Sequence, residues 1–258
     1  MIGDTVGDPG QKAIERVVPG MKKRGEADFV VCNAENTADG AGVTESIAKE
    51  LFFNGCDVLT IGDHGFDRRK DIEEYIKKEP RVVRLANYPK GVPGSGSCLV
   101  ECKGYKIGVV HVAGQVFMRY SFSSPFHAAD EEIAKLKTAG AKIILVDMHA
   151  EATSEKVALS WYLDGRVSAV VGTHTHIPTA DERVSENGTA CITDLGMTGP
   201  YDSVIGRDKT SVIQKFLTQM NVRHAVATKD VRFSGVIIQV DEYSGKAISI
   251  ERVHRKLQ

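Results

Sequence analysis

The sequence predicts a mixed α/β sandwich, in which sheets of both parallel and antiparallel strands are flanked by helices. In the first part of the chain, short apolar runs alternate with helical patterns, which is typical of strand–helix units. In the last part of the chain, segments in which apolar and polar residues alternate are separated by turn residues, a pattern typical of β-hairpins. The chain has 258 residues, of which 42% are hydrophobic and 26% charged. Because it has no internal repeat and no long linker, we expect residues 1–258 to form a single domain.

The elements of the first part follow from apolar periodicity. Short apolar runs predict buried strands at residues 29–32, 58–61, 143–146 and 167–171. Helical patterns occupy residues 44–53, 68–78 and 128–139, and a further helix begins near Thr153. Thr44 is the expected N-cap of the first helix, because its hydroxyl can accept a hydrogen bond from a free backbone N–H there.

Three hairpins are expected. Residues 99–112 predict two strands that turn at Lys103 and Gly104. Residues 183–193 contain Asn187 and Gly188, a dipeptide favoured in two-residue hairpin turns. Residues 231–254 alternate like strands on both sides of Gly245. Between the second and third hairpins, the glycine-containing stretch 196–206 indicates either a substrate loop or a tight chain reversal.

The amino-terminal segment is short for a buried strand, which normally needs about 4–8 residues. Only Met1 and Ile2 precede Gly3 and Asp4, so the first strand is expected to be clipped or to start upstream, with Asp4 less firmly aimed. The first ten residues lack the basic and apolar regions of a signal peptide, and no apolar run reaches about 18 residues. With five scattered cysteines read as free thiols, these features predict a cytoplasmic protein without a membrane partner.

The charge of the chain is almost balanced. Lys and Arg number 33 and Asp and Glu number 34, which gives a formal net charge of −1. A near-neutral chain gives no electrostatic reason to bind a nucleic-acid polymer or an anionic membrane. We therefore expect a small-molecule partner.

Acidic, amide and imidazole side chains follow the apolar runs where the strands are expected to end. Because ligands gather at the carboxyl ends of strands in open α/β sheets, we expect these side chains to meet. They are Asp4, Asn33, Glu35, Asn36, Asp63, His64, Asp147, His149, His174 and His176. In extended chain, the rings of His174 and His176 would project to one side, since they are two positions apart.

The chemistry of this set indicates a metal site. It contains too many ligands for one tetrahedral zinc ion, whereas it suits two cations about 3.5–4 Å apart that share a bridging carboxylate. Such pairs occur in phosphatases, nucleases and aminopeptidases. Imidazole suits zinc, iron, manganese and nickel, while carboxylate and amide oxygens are harder ligands.

Segments of the chain resemble the calcineurin-like metallophosphoesterases, and more closely their YmdB-like bacterial branch. They are Gly3-Asp4, Ala34-Glu35-Asn36, Gly62-Asp63-His64, and residues 149–156 (HAEATSEK), 172–176 (GTHTH) and 194–202 (DLGMTGPYD). The resemblance implies a metallophosphoesterase-type αββα sandwich with two mixed β-sheets flanked by helices. It also implies a phosphodiesterase that uses two divalent iron or manganese ions to hydrolyse cyclic nucleotides, the 2′,3′-cyclic ones and, as a further option, the 3′,5′-cyclic ones.

The resemblance also implies a role for each site residue. Asp4, Asn36 and His176 would hold one metal ion. Asp63, His149 and His174 would hold the other. Glu35 would bridge the two ions, and His64 would give a proton to the departing ribose oxygen.

The chain departs from the family pattern at Asp63, where the family usually has Asn. The additional negative charge should hold the cations more tightly and weaken them as Lewis acids, so we expect reduced or metal-shifted activity. Two other functions stay open, a phosphomonoesterase of the same fold and a nucleotide-binding regulatory protein with low turnover. A homo-oligomer is compatible with the sequence.

Four more residues near these motifs are candidates for supporting roles. Asp147 and Glu151 flank His149, and either orient its imidazole or serve as plain caps or ion-pair partners. Arg119 and Tyr120 are candidate contacts for a phosphate or a base.

Overall fold

The computed structural model of the protein describes residues 1–257. The helices are α1 (Gly7–Lys23), α2 (Glu45–Phe53), α3 (Arg69–Ile76), α4 (Pro125–Thr138), α5 (Thr153–Tyr162) and α6 (Lys209–Thr218). The first strands are β1 (Asp4–Thr5), β2 (Val31–Asn33), β3 (Val58–Ile61), β4 (Val82–Arg84), β5 (Ser97–Cys102), β6 (Tyr105–Ala113) and β7 (Ile143–His149). They are followed by β8 (Ala169–Thr173), β9 (Arg183–Val184), β10 (Ala190–Ile192), β11 (Met197–Pro200), β12 (Val231–Val240) and β13 (Ala247–Lys256).

The strands form two mixed layers. One layer has six strands in the order β5-β6-β7-β8-β10-β9, with parallel strands in the middle and antiparallel strands at both edges. The other layer combines the parallel strands β2-β3-β4 with the group β1-β11-β12-β13. Ile2 joins these two groups, because it bridges Cys32 of β2 on one side and Gly235 of β12 on the other.

The core has three parts that follow this layering. Helices α1, α2 and α3 cover one sheet through a cluster that includes Ile14, Leu51 and Ile72. A second cluster, with Val58 and Val109 among its members, lies between the two sheets. Helices α4 and α5 cover the other sheet through a third cluster of buried residues. The predicted sandwich of two mixed sheets flanked by helices is therefore confirmed.

Local sequence chemistry sets several of the predicted elements. The Thr44 hydroxyl accepts a hydrogen bond from Ile47 N at 3.3 Å, as expected of an N-cap. The first hairpin turns at Lys103 and Gly104, both with positive φ, and the second turns at Gly188, whose φ is +88°. The five cysteines are free, and four of them are buried.

The segment that leads into β1 is held on both sides. Ile2 N donates to Val31 O at 2.8 Å, and Val236 N donates to Met1 O at 2.8 Å. The expectation that this short segment leaves Asp4 loosely aimed is therefore wrong. A cavity of about 670 Å³ lies beside Met1, but none of the predicted site residues lines it. No helix within residues 1–257 has the length and apolar character needed to cross a membrane.

Candidate metal centre

The predicted site residues lie where the strands end. Asp4 belongs to β1, Glu35 and Asn36 follow β2, and Asp63 follows β3. His149 is the last residue of β7, while His174 and His176 follow β8. Six of these seven side chains belong to buried residues, and His174 is intermediate. The topology thus brings residues from distant parts of the sequence to one edge of the two sheets, as the strand-end argument predicts.

Four of these residues form one compact cluster, which we call the four-residue cluster: Glu35, Asp63, His149 and His174. Each offers one ligand atom, and these atoms all lie within 4.8 Å of one another. His149 Nε2 lies 3.0 Å from Asp63 Oδ1 and 3.2 Å from Glu35 Oε1. His174 Nδ1 lies 3.0 Å from His149 Nε2. Two imidazoles and two carboxylates at this spacing can hold a divalent cation.

The ionisation of the four-residue cluster follows from its mutual contacts. Burial alone would raise the pKa of Asp63, but hydrogen bonds from His149 and His174 hold that pKa below its usual value. Burial would lower the pKa of His149, but the nearby Glu35 and Asp63 raise it well above its usual value. A cation that binds here must therefore displace a proton that the carboxylates hold on His149.

Next to this cluster, Asp4 and Asn36 each present a buried oxygen without a hydrogen-bond partner. The two atoms are Asp4 Oδ1 and Asn36 Oδ1, and His176 Nε2 lies 3.9 Å from the first of them. Burial raises the pKa of Asp4 to about 6, because it disfavours the charged form of the carboxyl. Unpartnered buried oxygens are costly in folded proteins, so a cation between these residues fits their chemistry.

A chain of hydrogen bonds behind His149 fixes which of its nitrogens faces the cluster. Asp147 accepts from Thr60 Oγ1 at 2.6 Å and from Thr173 Oγ1 at 2.7 Å. Because the Thr173 hydroxyl gives its hydrogen to Asp147, it accepts from His149 Nδ1, which lies 2.9 Å away. Nε2 of His149 is thus left for a cation. Asp147, one of the two residues expected to orient His149, does so through Thr173. The other, Glu151, contacts His174, with its Oε2 3.3 Å from His174 Nε2.

The His174–His176 segment is a turn and not the extended chain that the sequence predicts. His174 has φ of +102° and His176 has φ of +65°, values that cost non-glycine residues about 1–3 kcal/mol each. Strand β8 ends at Thr173, immediately before this turn. Because of the turn, the rings of His174 and His176 contact different residues. His174 lies in the four-residue cluster, while His176 lies beside Asp4 and its Nδ1 donates to Ile205 O at 2.9 Å.

His64 lies at the rim of the site and outside the four-residue cluster. Its backbone N–H donates to Glu35 Oε2 at 3.0 Å, while its ring Nδ1 lies 2.7 Å from Asp67 Oδ2. Arg119 Nη1 lies 2.9 Å from Asp67 Oδ1 and 3.3 Å from His64 Nδ1. Arg119, which the sequence suggests as a contact for a phosphate or a base, therefore lies at the site, where it pairs with Asp67.

Some residues of this arrangement lack a strong sequence signal. Asp67 stands three positions after His64 and could have been found as a carboxylate within reach of that ring. Thr60 and Thr173 are ordinary strand residues, and only the three-dimensional structure brings them to Asp147.

The fold and the cluster together define the protein as a metallophosphoesterase, a class of phosphoric ester hydrolases. The chain belongs to the YmdB-like protein family, whose model matches residues 1–253.

Relatives found in bacteria support this assignment. The chain is 45% identical over 252 residues to the 2′,3′-cyclic-nucleotide 2′-phosphodiesterase of Bacillus subtilis (strain 168), covering 98% of this chain and 94% of the relative. A novel phosphatase of Mycoplasma pneumoniae has a crystal structure with a TM-score of 0.91 and 32% identity, covering 99% of this chain and 92% of that one. A hypothetical protein from Thermus thermophilus has the same TM-score of 0.91 at 36% identity, covering 99% of this chain and 97% of that one.

Proposed function

We propose that this protein is a phosphodiesterase that hydrolyses 2′,3′-cyclic nucleotides at a centre of two divalent cations, either iron or manganese. The observation that carries the proposal is the pairing of two ligand groups. The four-residue cluster supplies one group, and the unpartnered oxygens of Asp4 and Asn36 beside it supply the other. The Bacillus subtilis relative, which bears the name of this activity, supports the choice of substrate.

The ligands divide between the two positions as follows. Asp4, Asn36 and His176 hold one cation, and Asp63, His149 and His174 hold the second. Glu35 would bridge the two, and its Oε1 lies 3.2 Å from His149 Nε2 of the four-residue cluster. When bound, the two cations supply the positive charge that stabilises negative charge on the phosphoryl oxygens during reaction.

His64 is the proton donor in this proposal. Water attacks the phosphorus and loses a proton, one P–O ester bond breaks, and His64 gives a proton to the ribose oxygen that leaves; the proton released by the water restores His64 for the next turnover. Asp67 accepts from Nδ1–H of the ring, which leaves Nε2 as the atom that gives up the proton. Arg119 beside Asp67 provides a positive charge at the rim for an anionic substrate.

We further propose that the chain works as a single domain in the cytoplasm on a small-molecule substrate. Near-neutral charge gives no electrostatic support for a nucleic-acid polymer as partner.

The test is hydrolysis of 2′,3′-cyclic AMP by purified protein with added Mn²⁺ or Fe²⁺, compared with protein treated with chelator. Metal-dependent opening of the cyclic phosphate is expected. Parallel assays with 3′,5′-cyclic AMP and with the monoester p-nitrophenyl phosphate define the substrate range. Faster turnover of the monoester would indicate a phosphomonoesterase. Tight nucleotide binding without product, by protein that holds metal, would indicate a regulatory protein and contradict the proposal.

A further inference from the structure

A lysine at the start of α5 has no role in the proposed reaction and is in an unfavourable place. Lys156 lies in the first turn of α5, where the helix dipole disfavours a positive charge, and its side chain is only 3% exposed. Buried charges persist in proteins when they are paired. The Lys156 ammonium lies 2.7 Å from Asp194 Oδ2, and the Asp194 side chain is 2% exposed. The position of this lysine is therefore explained by a buried ion pair.

Asp194 also accepts hydrogen bonds from two backbone N–H groups, one of which belongs to the turn formed by His174, Thr175 and His176. Its Oδ2 accepts from Thr175 N at 3.1 Å, and its Oδ1 accepts from Gly196 N at 2.8 Å. Thr175 is the residue between His174 and His176. Its N–H therefore fixes the middle of a turn in which both flanking residues have positive φ. A strained conformation of this kind persists only where its surroundings determine it.

Close packing ties the same pair to the end of β8. A Cβ at Gly172 would lie 1.7 Å from Thr193 O and 2.9 Å from Lys156 Cδ, so the close approach of the Thr193 backbone requires glycine here, and the lysine stem packs against the same position. The carboxylate of Asp4 accepts from His174 N at 3.1 Å and supports the turn from the opposite side. The turn is thus held by two carboxylates, and of these Asp194 is the one paired with the buried Lys156.

We infer that the buried Lys156–Asp194 ion pair is a positioning device for the turn that carries His174 and His176, and that it thereby sets the affinity of the site for divalent cations. The inference rests on the proposed function, because it takes both histidines as ligands. Neither residue of the pair touches a cation or the substrate. They act through the Thr175 N–H. Asp194 must be a carboxylate for this role, because one of its oxygens accepts from Thr175 N–H while the other accepts from Gly196 N–H.

The test uses the double variant Lys156→Met/Asp194→Asn, which removes both charges and keeps side-chain size. Replacing a buried ion pair as a whole is often tolerated, so a melting temperature near that of the wild type is expected. The asparagine side chain has a single amide oxygen, which cannot accept from both N–H groups, so the turn loses one of its anchors. In calorimetric titration with Mn²⁺ alone, we expect the dissociation constant to rise by about tenfold or more.

A matched control exists on the far side of the fold. Lys22 and Asp57 form a partly buried pair at 2.7 Å, and Asp57 likewise accepts a backbone N–H, from Val30 at 2.7 Å. The variant Lys22→Met/Asp57→Asn makes the same chemical change away from the site, and its Mn²⁺ affinity should stay within about twofold of the wild type.

The outcomes separate the inference from the proposed function. Wild-type protein that binds neither Mn²⁺ nor Fe²⁺ overturns both. Wild-type protein that binds Mn²⁺, together with a double variant that binds it equally well, overturns the inference alone. If the double variant does not fold, Asp194→Glu by itself gives the second measurement, because it keeps the charge pair with Lys156 and shifts the acceptor oxygens by one methylene. Unchanged affinity in that folded variant also overturns the inference.

Discussion

Asp63 puts a second carboxylate, beside that of Glu35, within hydrogen-bond distance of His149. Its Oδ1 lies 3.0 Å from His149 Nε2 and 3.5 Å from His174 Nδ1. In the Asp63→Asn variant we expect the dissociation constant for Mn²⁺ to rise by about tenfold, because one negative charge is removed from a buried site. We expect turnover of 2′,3′-cyclic AMP to increase, since the cations become stronger Lewis acids. Metal titration and steady-state kinetics measure both effects, and no change in either would contradict the expectation.

His64 should affect turnover and not metal content. The His64→Ala variant removes the proposed proton donor, so turnover of 2′,3′-cyclic AMP should fall by about 10²–10⁴-fold. Its ring is outside the four-residue cluster, so metal analysis should give the wild-type content. The matched control is His127→Ala, because His127 is an exposed histidine on α4 that fits no motif. Loss of metal in His64→Ala would refute its assignment as donor and make it a ligand.

His111 makes the stability of the fold depend on pH. The residue is fully buried in β6, its Nε2 has no partner, and burial lowers its pKa below 6.5. The unfolded chain therefore binds more protons than the folded one as the pH falls below 6.5, and stability decreases in that direction. In the His111→Phe variant, denaturant unfolding between about pH 5 and pH 7 should have a smaller dependence on pH. An unchanged dependence would mean that His111 does not titrate in this range.

At the residue level, the sequence identifies the candidate ligands but not most of the residues that orient them. All seven predicted ligands and His64 follow apolar runs, so the strand-end rule places them at the site together with Asn33 and Asp147, and the resemblance to the family assigns their roles. The neighbours that orient them carry no such pattern. Thr173 and Asp194 act through contacts with residues 24 and 19 positions away, and such contacts depend on how strands and loops pack.

At the level of elements, strong apolar runs are predictable and glycine-rich or short elements are not. Helix α1 contains Gly7, Pro9, Gly10, Pro19 and Gly20, which are weak helix formers, so its pattern does not predict a helix. It forms because its buried face packs on β11 and β12. Strands β4 and β11 and helix α6 were not predicted either. The stretch 196–206 that suggested a loop begins with β11, which pairs with β1 beside Asp4.

The glycines of α1 provide a test of this packing. A Cβ at Gly10 would lie 2.6 Å from Thr198 O of β11, so Gly10→Ala should destabilise the protein by about 1–3 kcal/mol. A Cβ at Gly20 would meet only the flexible end of Arg24 at 3.0 Å, so Gly20→Ala should be neutral or stabilising by up to about 1 kcal/mol. Denaturant unfolding measures both variants. Equal effects at the two positions would show that helix propensity outweighs the contact with β11.

At the scale of the whole molecule, the site depends on both sheets at once. Asp4, Glu35, Asn36 and Asp63 follow strands of one layer, whereas the three histidines follow strands of the other. A cation bound between them therefore links the two layers. The cluster of buried hydrophobic residues between the sheets fixes the spacing of the two layers. It contains no charged residue that could balance the carboxylates at the edge of the sheets. Metal binding is thus expected to be a large part of the stability of the folded protein.

Metal removal measures this link directly. A ligand that binds only the folded state, at about 100 times its dissociation constant, adds about 2.7 kcal/mol, which for a chain of this size corresponds to roughly 5–10 °C in melting temperature. We expect chelator to lower the melting temperature by that amount and added Mn²⁺ to restore it. The His149→Ala variant, which lacks a ligand of the four-residue cluster, should lose most of the difference between chelated and Mn²⁺-loaded protein, whereas His127→Ala should keep it. Identical melting of the wild type with chelator and with Mn²⁺ would mean that no cation links the layers, and that the unpartnered oxygens of Asp4 and Asn36 are tolerated without one.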